Sequence, residues 1–169
     1  MWTILGALRA PKVRVGEAVE LTLRVLPNDL DINGHMNNGR YLTIVDLALF
    51  VLFIRSGFLR LCMKKGWRPM SGGAVIHFRR GLKVFQRYTL RMTPVGWDDF
   101  WNYCRFEFIR DGELCATGFM KGAAVGRAGL VPTAEFYPAL GYQGSSPELP
   151  ADVLAWIAAD RLLGSRAKR

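Results

Sequence analysis

The chain has 169 residues, half of them hydrophobic and 12% aromatic, with a formal charge of +9. That apolar mass supports one domain with a real core and excludes a wholly disordered chain. The cationic excess fits a nucleic acid, an anionic membrane or an anionic small substrate, though part of it is a tail effect, since "RLLGSRAKR" carries four cations and no acid.

The opening "MWTILGALRAPK" has a short apolar run with no basic residue before it, which argues against a signal peptide. Residues 13 to 26 alternate apolar and polar at Val19, Leu21, Leu23 and Val25, the period of a half-buried strand. Pro27 and Asn28 end it, and "PNDLDINGHMNNGRY" follows as a dense polar loop. A helix is predicted from about Asn38, capped by Asn37 or Asn38, with Ser56-Gly57 as a break and Lys64, Lys65 and Gly66 as its close. The apolar stretch 41 to 63 contains Asp46, Arg55 and Arg60. Each charge costs about 2.5–3.5 kcal/mol inside a membrane span, so a buried core helix is expected and no transmembrane segment.

The rest reads as strands. "YTLRMTPVGW" alternates at Tyr88, Leu90 and Met92, and "FWNYCRFEFIR-DG-ELCATGFMKGAAV" is two long strands around an Asp-Gly turn. A two-residue turn there sets Arg110 opposite Glu113, Cys104 opposite Phe119 and Cys115 opposite Phe108. The two thiols would then lie about 13 Å apart, beyond disulfide reach. Three cysteines without close spacing predict reduced thiols and a cytoplasmic setting. Residues 126 to 150, rich in Gly, Pro and Ser, read as a surface segment after a core of 13 to 125. A short amphipathic helix is predicted over 151 to 163, then a basic tail, 164 to 169.

One strand, one very apolar helix and about four further strands make an α+β domain with an antiparallel sheet. A helix apolar on nearly every face needs cover on nearly every side. One curved sheet supplies part of it, and a second sheet or a second copy of the chain must supply the remainder.

The loop crowds carboxylates, amides and an imidazole at the mouth of that helix. A helix N-terminus offers unpaired N–H groups and partial positive charge, a seat for an oxyanion such as the one that forms on an attacked thioester carbonyl. A carboxylate held ahead of it can serve as base or nucleophile. Asp31, Asn33 and His35 alternate, so an extended loop would aim all three the same way. The apolar helix would then line a tunnel for an acyl chain.

"DLDINGHMNNGRY" resembles the loop-to-helix signature of the hotdog-fold thioesterases, the 4-hydroxybenzoyl-CoA thioesterase-like superfamily, roughly D-x-D-x-x-G-H-x-N-N-x-x-Y. It is also similar to the D-x-N-x-H element of plant acyl-ACP thioesterases, and the whole pattern resembles the thioesterase-superfamily-member-6-like branch. The resemblance implies a hotdog fold, a curved antiparallel sheet around a long central helix, pairing as a dimer or tetramer. It implies hydrolysis of acyl-CoA or acyl-ACP, with coenzyme A present as part of the substrate and no separate cofactor. Asp31 falls on the catalytic acid, Asp31, Asn33 and His35 on the three polar catalytic positions of the plant enzymes, and Asn38 where a backbone N–H polarises the carbonyl. A non-catalytic acyl-CoA-binding or scaffold protein of the same fold is the alternative.

Bland roles stand beside these. Asp31 is also a plausible turn-capping carboxylate, Asn33 and Asn37 are ordinary turn and cap residues, and His35 can tie the loop to itself. Asp46 is expected as a satisfied core carboxylate and His77 as a packing residue. Arg79, Arg80, Lys83 and Arg87 form a basic patch that suits either a solvated sheet edge or the phosphates of coenzyme A. No metal-ligand spacing, Walker or Rossmann loop, Gly-x-Ser-x-Gly motif or nucleic-acid motif is present.

Overall fold

The computed structural model describes residues 10–166, so most of the N-terminal stretch read above for a signal peptide, and the last three tail residues, lie outside the described residues. Strand β1 (Val19–Arg24) leads through a short 3-10 turn (Pro27–Asp29) to helices α1 (Asn38–Arg55) and α2 (Phe58–Lys65). Then come β2 (Arg68–Phe78), β3 (Arg87–Trp97), β4 (Asn102–Arg110), β5 (Glu113–Gly126), the two-residue β6 (Gly129–Leu130), α3 (Thr133–Ala139) and α4 (Ala151–Arg166). The strands form a curled antiparallel sheet in the order β1-β3-β4-β5-β2, with β6 paired to β5.

The central helix begins where the sequence places it. Asn37 is its N-cap, its Oδ1 accepting the Gly39 N–H at 2.8 Å. It breaks at Ser56-Gly57, where Gly57 sits at φ +81° and the axis turns by 75° into α2. Among the described residues no single helix is long and apolar enough to cross a membrane.

One side of α1 buries Tyr41, Ile44, Val45, Ala48, Val51 and Leu52 against Val19, Leu21, Leu90, Met92, Phe106 and Phe108 of the sheet. Each such side chain contributes about 1.5–3 kcal/mol of burial. Tyr41 sits edge-on to Phe108 at 4.7 Å and to Phe78 at 5.1 Å. The Phe106 ring needs a glycine beneath it: a Cβ at Gly118 would lie 2.6 Å from Phe106 Cζ and 2.0 Å from the Val75 carbonyl oxygen.

Several expectations are corrected. The Asp111-Gly112 turn does set Arg110 opposite Glu113, but a bulge between Phe108 and Ile109 shifts the ladder by one. Cys104 therefore faces Met120 and Phe108 faces Ala116, with Cys115 taken up in the bulge. All three cysteines are free and buried. Residues 126 to 150 are not merely surface: Val131, Thr133, Phe136 and Tyr137 are buried, and Trp97 stacks on Tyr137 at 3.6 Å. Together with Phe58 and Cys62 they build a second apolar cluster beyond the first.

The last helix runs to Arg166, three residues past its expected end, and covers the outer face of the sheet. Val153 is fully buried there, Trp156 stacks on Phe119, and Arg105–Asp152 and Lys121–Asp160 ion pairs fasten the helix down.

The expected wrapping of α1 on nearly every side is not met within one chain. Leu42, Asp46 and Phe50, one helical turn apart, form an exposed stripe, so Asp46 is not a core carboxylate. Its apolar neighbours nonetheless push its carboxyl above the ordinary range. Strand β2 is likewise open. It pairs only with β5, and Met70, Val75, His77 and Phe78 are exposed along it.

Candidate active site at the start of the central helix

The loop is not extended, the condition under which Asp31, Asn33 and His35 would all point one way, but folded into a tight turn. The Asp31 N–H donates to the His35 carbonyl at 2.8 Å and the Gly34 N–H to the Asp31 carbonyl at 3.1 Å. Gly34, at φ +72°, takes the left-handed conformation that closes the turn at little cost. Leu30 and Met36 bridge across its base, and Ile32 stands fully exposed at its tip.

Inside this turn the backbone holds the Asp31 carboxylate by one oxygen. Its Oδ1 accepts the Asn33 N–H at 2.8 Å and the His35 N–H at 3.3 Å. The Asn33 amide is the largest reason that the carboxyl lies below the usual carboxylate range. The Asn33 side chain adds a smaller hold on the same carboxylate and lowers it further. An ionised carboxylate so held can accept a proton from water or attack a carbonyl carbon.

Next to the turn is the amino end of α1. The Gly39 N–H is satisfied by the Asn37 side chain and the Arg40 N–H by the Asn37 carbonyl, while the Asn38 N–H has no acceptor among the described residues. A helix start with an open amide is a site of positive potential.

A second segment closes alongside. His35 bridges to Lys83, the Met36 N–H donates to the Leu82 carbonyl at 2.7 Å, and the His35 ring lies on Gly81, where a Cβ would come within 2.6 Å. Lys83 is thus brought to the turn with its side chain exposed. Arg79 is also exposed, whereas the Arg80 guanidinium is engaged by Glu113. Asp31, Asn33 and His35 share one turn, which leads into Asn38 and meets Lys83 through His35, whereas the Arg79 and Arg80 amides are held by the Cys115 carbonyl. His77, on β2, is not part of the group and is exposed rather than packed.

Sequence reasoning missed the residues that hold the turn. Asp29 is nearly fully buried, its Oδ2 accepting the Leu26 N–H at 2.8 Å and its Oδ1 accepting Arg40 Nε at 2.9 Å. Its carbonyl takes the Asn37 N–H at 2.8 Å. The signal was the first Asp of "DLD" with an Arg one turn into the helix, two charges flanking the segment they clamp together. The cavities lined by Leu52 and by Trp156 do not include the turn, whose Ile32, Asn33 and Gly34 are exposed to solvent.

The chain and its fold have counterparts among known proteins. A family model described as "Thioesterase-like superfamily" matches residues 25–157. The chain is 32% identical over 163 residues to "Protein THEM6" of Xenopus laevis, covering 91% of this chain and 77% of that protein. Among solved structures it is similar to the YbaW probable thioesterase from Escherichia coli, with a TM-score of 0.67, 15% identity and coverage of 72% of this chain and 95% of that one. A 1,4-dihydroxy-2-naphthoyl-CoA thioesterase from Synechocystis overlays with a TM-score of 0.63 at 14% identity, over 73% of this chain and 95% of that one. Both likenesses bear on the fold, that of the hotdog thioesterases. With its central helix, helix-mouth turn and strands β2 to β6 all inside the matched span, the chain belongs to the thioesterase-like superfamily.

Proposed function

We propose that the chain hydrolyses acyl thioesters of coenzyme A or of an acyl carrier protein. The observation that carries this reading is the Asp31 carboxylate, ionised and fixed through Oδ1 by two backbone amides, in the turn that leads into the open Asn38 N–H at the start of α1. Oδ2 acts as base toward water or as nucleophile toward the thioester carbon, and the Asn38 N–H stabilises the oxyanion. Asn33 and His35 hold the carboxylate through their backbone amides. Lys83 and Arg79 meet the phosphates of coenzyme A, a role that Arg80 can share only by releasing Glu113.

The active form is a homodimer. Its support is the open edge of β2, whose end at Phe78 packs on Tyr41 in the first turn of α1, and the exposed stripe Leu42–Asp46–Phe50. A second copy along that edge would wall in the turn that one chain leaves to solvent. Three unpaired buried thiols support a reducing, cytoplasmic setting.

The second reading keeps acyl-CoA binding and drops the reaction. It is favoured by one observation: the Asp31 hydrogen bonds are those of a self-capped turn, which explains the residue without chemistry. A hydrolysis screen of acyl-CoAs from short to long chain, with Asp31→Asn beside the native protein, separates the two. Saturable turnover lost in Asp31→Asn supports the enzyme; turnover unchanged in that variant overturns the role of Asp31, and binding without turnover selects the second reading.

A further inference from the structure

The two apolar clusters of the molecule meet imperfectly, leaving a cavity of about 90 Å³ at their seam. Its walls come from Leu52 and Phe53 on α1, Cys104 and Ala123 on the sheet, and Phe136 and Leu140 around α3. It lies far from the Asp31 turn: Leu52 is fourteen residues along α1 from Asn38, about 21 Å at the helical rise. At roughly 10–15 Å³ per water-sized group, the space takes about six to nine heavy atoms.

The polar groups in the walls are already satisfied. The Asn102 Nδ2 donates to the Gly122 carbonyl, its Oδ1 accepts the Tyr137 hydroxyl at 2.7 Å, and the Ser56 hydroxyl donates to the Phe53 carbonyl at 3.5 Å. Nothing inside asks for a hydrogen bond, and a water there would find too few partners to stay. The interior therefore selects an alkyl occupant.

The mouth is different. Arg14 lines the opening and is exposed, and its guanidinium makes no hydrogen bond or ion pair with the described residues. The neighbouring Glu17 carboxylate is turned to the Arg14 backbone N–H, at 2.9 Å, and closes a local turn rather than neutralising the guanidinium. A dry channel with one unneutralised cation at its rim matches an amphiphile with an anionic head and a straight apolar tail.

We propose that this cavity is a binding site for medium-chain alkyl carboxylates, separate from the Asp31 turn, with the tail between the clusters and the carboxylate on Arg14. The site stands on its own geometry and does not depend on hydrolysis at Asp31. If that reaction occurs, its product has the chemistry that this site accepts.

Titration calorimetry with octanoate tests the proposal. The native protein should bind one equivalent saturably, and butyrate at least tenfold more weakly. Ala123→Leu, which fills the cavity, should weaken octanoate binding tenfold or more, and so should Arg14→Glu, an exposed change that leaves the core intact. Asp31→Asn should bind octanoate like the native protein, whatever it does to hydrolysis. The proposal is overturned if octanoate does not bind saturably, or if Ala123→Leu and Arg14→Glu both bind it unchanged. Loss of binding in Asp31→Asn would also overturn it, by moving the ligand to the turn.

Discussion

Asp29 and Arg40 stand eleven residues apart in the chain, yet two nitrogens of the guanidinium reach the same carboxylate oxygen, at 2.9 and 2.8 Å. One partner is nearly buried and the other about two-fifths exposed, so solvent screens part of the attraction. What the pair does is mechanical. It fastens the start of the polar loop to the first turn of α1, and the Asp31 turn is strung between them.

Removing Arg40 strands a buried carboxylate with the Leu26 N–H as its remaining side-chain partner. Arg40→Met should lower stability by about 1–2 kcal/mol, read from the urea midpoint. It should also lower kcat while leaving Asp31 in place, because the turn loses its anchor. An unchanged midpoint would show that the clamp carries no strain-bearing role.

The acid limb of activity should lie low. The Asn33 amide holds the Asp31 carboxyl below its ordinary range, so the group is ionised throughout neutral and mildly acidic pH. Turnover should fall only as pH drops through that lowered value, and Asp31→Asn should cost about 10²–10⁴ in kcat at neutral pH. By linkage the same depression stabilises the fold above the unfolded-state value and is lost as pH falls through the folded one. A limb centred near pH 6 would point to another group.

Assembly should depend on β2. The native protein should run at twice its 19.0 kDa mass by light scattering, and Val75→Glu, on the exposed edge, should shift it toward one chain. A native monomer at micromolar concentration would remove the dimer from the mechanism.

Gly118→Ala should be among the most damaging single changes in the sheet. The added carbon meets backbone oxygen at 2.0 Å as well as the Phe106 ring, and neither can swing aside cheaply. A loss of about 2–4 kcal/mol is expected, seen as a depressed melting temperature.

The thiols should be silent. Burial pushes Cys104 up to about 12 and Cys62 up to about 11, and the thiolate is the reactive form. Iodoacetamide should label none of the three in the native protein and all three in denaturant.

The sequence disclosed elements whose signals are local. The Asn37 cap, the Ser56-Gly57 break and the inward rhythm of Tyr88, Leu90 and Met92 depend on neighbouring residues, and each is found where it was expected. The bulge at Phe108–Ile109 left no trace, because it answers packing across strands rather than anything in the turn. Helix α3 was hidden by Pro132, Pro138 and Gly141, which mark it as loop while Phe136 and Tyr137 bury themselves. At the candidate site, the residue types and their nearness to the helix were legible. Their shape was not, since the alternation says only how an extended loop would aim them, and the Asp31–His35 hydrogen bonds fold it into a turn.

In the proposed dimer the open edge of β2 has a thermodynamic corollary. A fold whose last row of amides is satisfied by its own twin makes protein concentration part of its free energy, and each tenfold dilution would take about 1.4 kcal/mol per mole of dimer from its resistance to denaturant.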